Sequence, residues 1–172
     1  MDRNPVQYSF GPVPSRRLGR SVGINNIPAK SCTYACRYCQ VGRTTEMPLE
    51  RRMFYNPLDL FRDVSRRVEQ AKKAGETIEY LTFVPDGEPT LDIHLGEEIR
   101  MIKELGIPVA VITNSSLIWR DDVKKDLMNA DWISLKVDSV SEEDWFWINR
   151  PHRSLNLAGI LEETVRFASC YR

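Results

Sequence analysis

Two hydrophobic periods take turns along this chain. Ser21 to Ile27 alternates small or polar with apolar positions, a short strand that Pro28 ends. After Asn56-Pro57, a cap residue followed by a proline suited to a first helical position, Leu60, Val64, Val68 and Ala71 recur close to every four residues. That spacing predicts a helix with one apolar stripe, stopped by Gly75. Ile78 to Val84 is a β-rich strand, and Pro85 to Thr90 breaks regular structure. A helix over Ile93 to Leu105, a strand over Val109 to Ile112, a helix over Asp121 to Asn129 and a strand over Trp132 to Val137 follow. Ser141 to Asp144 resembles a capping box for a helix ending near Arg150-Pro151, and a last helix runs from about Leu155 to Ala168. Met1 to Arg20 reads as an irregular arm, broken by Pro5, Gly11, Pro12, Pro14 and Gly19.

Strands alternating with helices over short connections predict an α/β fold of about four parallel βα units in one domain spanning residues 1–172. In the fourth strand Ile133, Leu135 and Val137 share one face, and Ser134, Lys136 and Asp138 the other. In the third, Val109 and Val111 oppose Ala110, Ile112 and Asn114. Helices cover the apolar faces. The other faces converge on an interior with polar ends, as in an open or closed barrel.

Composition changes this picture little. The 172 residues are 42% hydrophobic and 28% charged, which excludes a wholly disordered chain. No run approaches the roughly 18 apolar residues of a membrane span, and Met1 to Pro14 has no apolar signal segment. Charge is more informative. The 24 basic and 24 acidic residues cancel, yet Met1 to Lys73 holds 14 of the basic and only 6 of the acidic ones. The basic half either meets an anion or pairs with the acidic half. Arg16, Arg17 and Arg20 carry the same pair of readings: phosphate contacts or salt bridges.

Of the four cysteines, Cys32, Cys36 and Cys39 lie together with C-x3-C-x2-C spacing and Cys170 stands apart. That is no disulfide framework. It suggests a metal or cluster site in a reducing, cytoplasmic compartment. Zinc would need a fourth ligand, with His94, His152 and Cys170 as candidates. An iron–sulfur cube accepts three cysteines and leaves one iron open. The spacing also admits reduced, metal-free cysteines, and does not choose among the three.

The cysteine loop after a first strand, with Tyr38 before its last cysteine, resembles the radical S-adenosylmethionine superfamily. Gly87-Glu88-Pro89 after the second strand is similar to that superfamily's G-G-E-P motif, with Asp86 in place of the first glycine. Pro14 to Ser21, Cys39 to Thr45, Asp86 to Thr90 and Asn149 to His152 resemble a branch of Fe–S oxidoreductases related to wyosine-type tRNA-modifying synthases. The chain has no second cysteine set such as the wyosine-forming enzymes carry.

The resemblance implies a radical-SAM-type partial (β/α) barrel and a [4Fe–4S] enzyme. Cys32, Cys36 and Cys39 would hold three irons, and the fourth would chelate S-adenosylmethionine. Gly87, Glu88 and Pro89 would shape the turn at the methionyl ammonium, with Gly87 allowing a close backbone approach to the ligand. Tyr38 would lie against the adenine. Asn114, Lys136 and Asp138 would make ribose and carboxylate contacts. A flavodoxin- or ferredoxin-like donor would supply the electron, and a tRNA base is the suggested substrate; no residue is assigned a catalytic role. A zinc-stabilised nucleic-acid-binding module is the alternative. The superfamily typically uses six βα units, so the fourth strand is expected to be a free edge of an incomplete barrel. In the last helix Leu157, Ile160, Leu161, Val165 and Phe167 form the expected apolar stripe.

Overall fold

A computed structural model describes residues 7–171. Its centre is a sheet in the order β1-β2-β3-β4-β5, with β1 over Ser9–Ser15, β2 over Gly19–Ile24, β3 over Tyr80–Phe83, β4 over Val109–Thr113 and β5 over Trp132–Leu135. Strands β2 to β5 are parallel, in register through Val22↔Leu81, Thr82↔Ala110 and Ile112↔Ser134. The four expected βα units are these.

The expected irregular arm is corrected. Residues 9–15 form β1, antiparallel to β2, with a register shift between Phe10 and Val13. Prolines and glycines masked this strand, and both are tolerated on an edge strand interrupted by a bulge. Pro5 and the rest of 1–6 lie outside the described residues.

Helix α1 (Pro57–Lys73) begins as expected, with Asn56 Oδ1 accepting from the Leu58 N–H at 2.9 Å, and buries Leu60, Val64, Val68 and Ala71. Helix α2 spans Leu95–Lys103, α3 Asp121–Leu127, α4 Glu142–Asn149 and α5 Leu157–Cys170. Helices and outward strand faces share one core: Val22, Ile24, Leu81, Phe83, Val109 and Val111 meet Leu60, Val64, Leu95, Ile99 and Leu127. In α5, Leu157, Ile160 and Phe167 are buried, but Val165 is 71% exposed and Thr164 takes its place. At 100° per residue, Val165 falls on the flank of the stripe. Val137, expected on the protected face of the last strand, lies beyond β5 and is also exposed. Of the aromatic run read as packing, Trp145 is buried while Phe146 and Trp147 are half exposed or more, as consecutive positions on a helix require.

The inner face of the sheet mixes small and polar positions with Ile112 and Trp132. Gly23, Thr82, Ala110 and Trp132 form one cross-sheet row, and Ile112 and Ser134 the next toward the strand C-termini. A Cβ on Gly23 would sit 2.1 Å from the Phe10 ring, so glycine there lets Phe10 cover the inner face. Among the described residues β5 pairs only with β4 and is a sheet edge.

Candidate functional site

The residues expected to hold the cofactors follow the C-terminal ends of parallel strands, where short loops leave backbone groups and side chains facing one crevice. The cysteine loop follows β2, Asp86 to Pro89 follows β3, Asn114 follows β4, and Lys136 and Asp138 follow β5.

The cysteine loop is held from three sides. The turn after β3 supports its start: Lys30 N–H donates to Asp86 O at 2.8 Å, and Glu88 N–H to Ser31 O at 3.1 Å. The last turn of α4 and the residues after it run alongside its middle. Ala35 N–H donates to Asn149 O, Arg37 N–H to Ile148 O, and His152 N–H to Thr33 O at 3.0 Å. Arg150, in the left-handed region at φ 44°, turns the chain at the end of α4 for this contact. Tyr34 is buried, accepts from Trp145 Nε1–H at 3.2 Å, and anchors the loop in the core.

Gly87 is where the loops touch. A Cβ there would lie 2.0 Å from Ser31 O and 3.0 Å from Ser31 C. The close approach visible at Gly87 is thus to the backbone just before Cys32. Glu88 is 1% exposed and its carboxylate is fully engaged. It accepts from Thr90 N–H, from the Thr90 and Thr113 hydroxyls at 2.6 Å, and from Asn114 N–H at 2.8 Å. Burial raises its pKa against the pull of those bonds. Glu88 therefore welds the β3 turn to the end of β4. Pro89 is buried and accepts from Asn26 Nδ2–H through its carbonyl.

Cys32, Cys36 and Cys39 are free thiols of intermediate exposure. Burial first, and the Glu88 charge second, push the Cys32 thiol up to about 12. Cys36 and Cys39 line a cavity of about 500 Å³ together with Arg37, Arg43 and Arg150. Two amides face the sulfurs: Asn149 Nδ2–H donates to Cys36 Sγ at 3.3 Å, and Asn114 Nδ2 lies 3.6 Å from Cys32 Sγ while donating to Thr33 Oγ1 at 2.8 Å. Asn149 was legible only as part of the Asn149 to His152 resemblance. Its approach to Cys36 spans 113 positions of sequence, so no local signal announces it.

Tyr38, Lys136 and Asp138 come together as one network. Tyr38 O–H donates to Asp138 Oδ2, Lys136 Nζ donates to the Tyr38 hydroxyl, and Asn149 Nδ2 reaches both partners. The Lys136 ammonium lies 4.2 Å from the Tyr38 ring centroid. Burial opposes the Asp138 charge, but Tyr38, Asn149 and Lys136 outweigh it and hold the carboxyl below its usual range. Asn114, Lys136 and Asp138 share a small cleft with Tyr34, Trp145 and Asn149.

The fourth-ligand candidates do not join the thiols. His94 precedes α2 and pairs with Glu97, His152 Nδ1 accepts from Ser154 N–H, and Cys170 is exposed at the end of α5. Among the described residues, no three His, Cys, Asp or Glu side chains converge on one ion's position. Three thiols on one loop, two of them beside amide donors and none joined by a fourth His or Cys, fit a cluster, in which each iron takes one thiolate, better than a tetrahedral zinc.

Residues 26–166 match the profile of the Radical SAM superfamily. A UPF0026 protein of Methanocaldococcus jannaschii is 57% identical over 167 residues, 97% of this chain and 51% of that protein. An S-adenosylmethionine-dependent nucleotide dehydratase of a Thermoplasmatales archaeon is 28% identical over 137 residues, 80% of this chain and 43% of that protein. The structure of TYW1 with a lysine-pyruvate adduct superposes with a TM-score of 0.59 at 16% identity, over 86% of this chain and 50% of that one. The chain spans about half the length of these curated relatives, or somewhat less.

Proposed function

The chain belongs to the radical SAM superfamily, and from that premise we propose that Cys32, Cys36 and Cys39 hold a [4Fe–4S] cluster beside bound S-adenosylmethionine. When bound, these groups supply one-electron cleavage of the sulfonium to methionine and a 5′-deoxyadenosyl radical that takes hydrogen from a substrate. The observation carrying the proposal is the placement of three free thiols on the loop after β2, with the Asn149 amide on Cys36 and the Asn114 amide close to Cys32.

The residues of this chain do the positioning. Asn149 and Asn114 stabilise thiolate charge at Sγ, and Arg37, Arg43 and Arg150 surround the cavity with positive charge. Glu88 and Gly87 fix the turn against which the cysteine loop rests. Gly87, Glu88 and Pro89 serve the cofactor by shaping that turn, while Tyr38, Asn114, Lys136 and Asp138 present polar groups to its adenine, ribose and carboxylate. An external donor of the flavodoxin or ferredoxin kind supplies the electron. The substrate is a nucleotide, free or as a base in tRNA. The support for this is the relatives named as nucleotide dehydratases and the basic first half of the chain.

The test is anaerobic reconstitution with iron and sulfide, then reduction and addition of S-adenosylmethionine. A brown protein that forms 5′-deoxyadenosine is expected. Cys32→Ala, Cys36→Ala and Cys39→Ala each lose iron and cleavage, and Cys170→Ala keeps both. A colourless, zinc-loaded protein that yields no 5′-deoxyadenosine overturns the proposal.

A further inference from the structure

Strands β1 and β5 are opposite edges of the sheet, yet residues from both ends of it face one cavity. Ser15 at the end of β1 and Arg16, Arg17 and Leu18 in the turn to β2 share a space of about 500 Å³ with Ile112, Trp132, Ser134 and Lys136. The sheet must therefore curl until its first turn faces its last strand. Trp132, Ser134 and Lys136 alternate along one face, so they form a ladder up the inner wall. At about 3.3 Å per residue this ladder spans roughly 13 Å, from the middle of the inner face to the strand C-termini.

The lining is electrostatically one-sided. It holds three cations and no carboxylate. Lys136 has Asp138 at 3.6 Å. Arg16 and Arg17 have no ion pair among the described residues, whereas nearby Arg20 is committed to Glu76 at 3.1 Å. Like charges gathered in a concave site repel one another and focus a positive field, and both effects favour an anion. Two guanidinium groups suit the geometry of phosphate oxygens. Trp132 is half-buried in the same wall and offers a flat apolar surface to a ring. Lys136 also lines the cleft of Asn114, Asp138 and Asn149, so the cavity opens beside the cofactor residues.

We propose that this cavity is the substrate subsite and takes a nucleoside phosphate, with Arg16 and Arg17 on the phosphate, Trp132 against the base, and the Lys136 end next to the cofactor. This inference rests on the reading of the protein as a radical SAM enzyme acting on a nucleotide. It adds where the substrate lies and which residues select it.

Binding is measured by calorimetry on the purified protein with the four nucleoside 5′-monophosphates, bulk tRNA and inorganic phosphate as probes. At least one monophosphate, or tRNA, is expected to bind. The double variant Arg16→Ala with Arg17→Ala should weaken it tenfold or more, and Arg16→Lys with Arg17→Lys should recover part of the loss. Trp132→Leu should weaken the nucleotide without affecting inorganic phosphate. Arg62→Ala, on α1 and outside the cavity, should change nothing. Saturation by a monophosphate identifies a free nucleotide; binding of tRNA alone identifies the same group within RNA, and the arginine double variant should then flatten the salt dependence by a log–log slope of roughly 1.5. Absence of nucleotide and tRNA binding, or equal binding by the double alanine variant, overturns the inference. These titrations need neither cluster nor turnover. Cleavage of S-adenosylmethionine without nucleotide binding would sink the subsite alone, and nucleotide binding without cleavage would sink the enzymatic reading.

Discussion

Gly87 shows how much one missing methyl group can decide. Its place in a G-E-P motif suggested a close approach to a ligand, and on that view Gly87→Val should spare the iron. The contact on the inner side of the turn is instead Ser31 O, 2.0 Å from where a Cβ would be. Real Cβ atoms do not come that near a carbonyl, so the β3 turn or the start of the cysteine loop must move. Two hydrogen bonds tie these segments together, Lys30 N–H to Asp86 O and Glu88 N–H to Ser31 O. Gly87→Val is therefore expected to lower iron content after reconstitution along with S-adenosylmethionine binding, and to destabilise the fold by about 1–3 kcal/mol as overpacked sites do. Iron content equal to wild type, with only cofactor binding lost, would return Gly87 to a purely ligand-facing role. Tyr38 teaches the converse. Its type and position pointed to the adenine, and its hydroxyl turns out to be engaged by Lys136, Asp138 and Asn149, partners 98 to 111 positions away.

Among the elements, α2 carries an unusual burden. Glu98 is fully buried, and its carboxylate makes no well-formed hydrogen bond, its nearest polar neighbour being the Asn26 side chain, which pulls its pKa down only in part. Burial first, and the nearby Asp92 charge second, raise its pKa to about 9. Asp92 itself is raised to about 6, mainly by burial. An acid whose pKa is higher folded than unfolded binds its proton more tightly in the native state. Its contribution to stability is full below the unfolded pKa and is lost as pH rises through the folded one. The fold should thus lose stability between about pH 4.5 and pH 9 on account of Glu98, with the Asp92 part complete by about pH 6. Glu98→Gln, which keeps the shape without the charge, is expected to raise the melting temperature more at pH 8 than at pH 5. An equal change at both pH values would mean that Glu98 does not titrate in this window. The periodic spacing of α2 was plain in the sequence, as was that of α1 with Leu60, Val64, Val68 and Ala71. Spacing alone places Glu98 beside Leu95, Ile99 and Ile102 but does not reveal that its carboxylate is left without a well-formed hydrogen bond.

For the whole molecule, the split between a basic first half and an acidic second half resolves in two ways. Arg51 pairs across the halves. Its guanidinium, only 4% exposed, reaches Asp122 at 3.0 Å and Asp126, and also donates to the carbonyls of Thr90 and Asp92. One side chain thereby joins the segment before α1, the β3 turn region and α3. Removing it would leave the Asp126 carboxylate and the Thr90 carbonyl without their donor, while Asp122 keeps Arg120 and the Asp92 carbonyl keeps the Leu95 N–H. Arg51→Ala should cost about 3–5 kcal/mol, read as a drop in urea midpoint with unchanged slope. A loss below 1 kcal/mol would class it with ordinary surface pairs. Arg16 and Arg17 resolve the other way: exposed and without an acidic partner among the described residues, they line the cavity shared with the inner face of β5.

By itself the sequence determined the order of strands and helices, the parallel sense of β2 to β5, the stripes of α1 and the cysteine triplet, because each rests on the spacing of neighbours a few residues apart. It also carried the resemblance to the superfamily, since C-x3-C-x2-C and Gly87-Glu88-Pro89 are local motifs. Strand β1 escaped it because proline and glycine lower strand propensity wherever they stand, and only pairing with β2 and packing of Phe10 over Gly23 compensate. Contacts between distant segments were decided by tertiary structure alone: Asn149 on Cys36, Glu88 on Thr113 and Asn114, and Arg16 and Arg17 opposite Trp132 and Lys136. Their partners lie 25 to more than 100 positions apart. Which of them meet depends on how the sheet curls, and that curl comes from the summed twist of five strands rather than from any one segment.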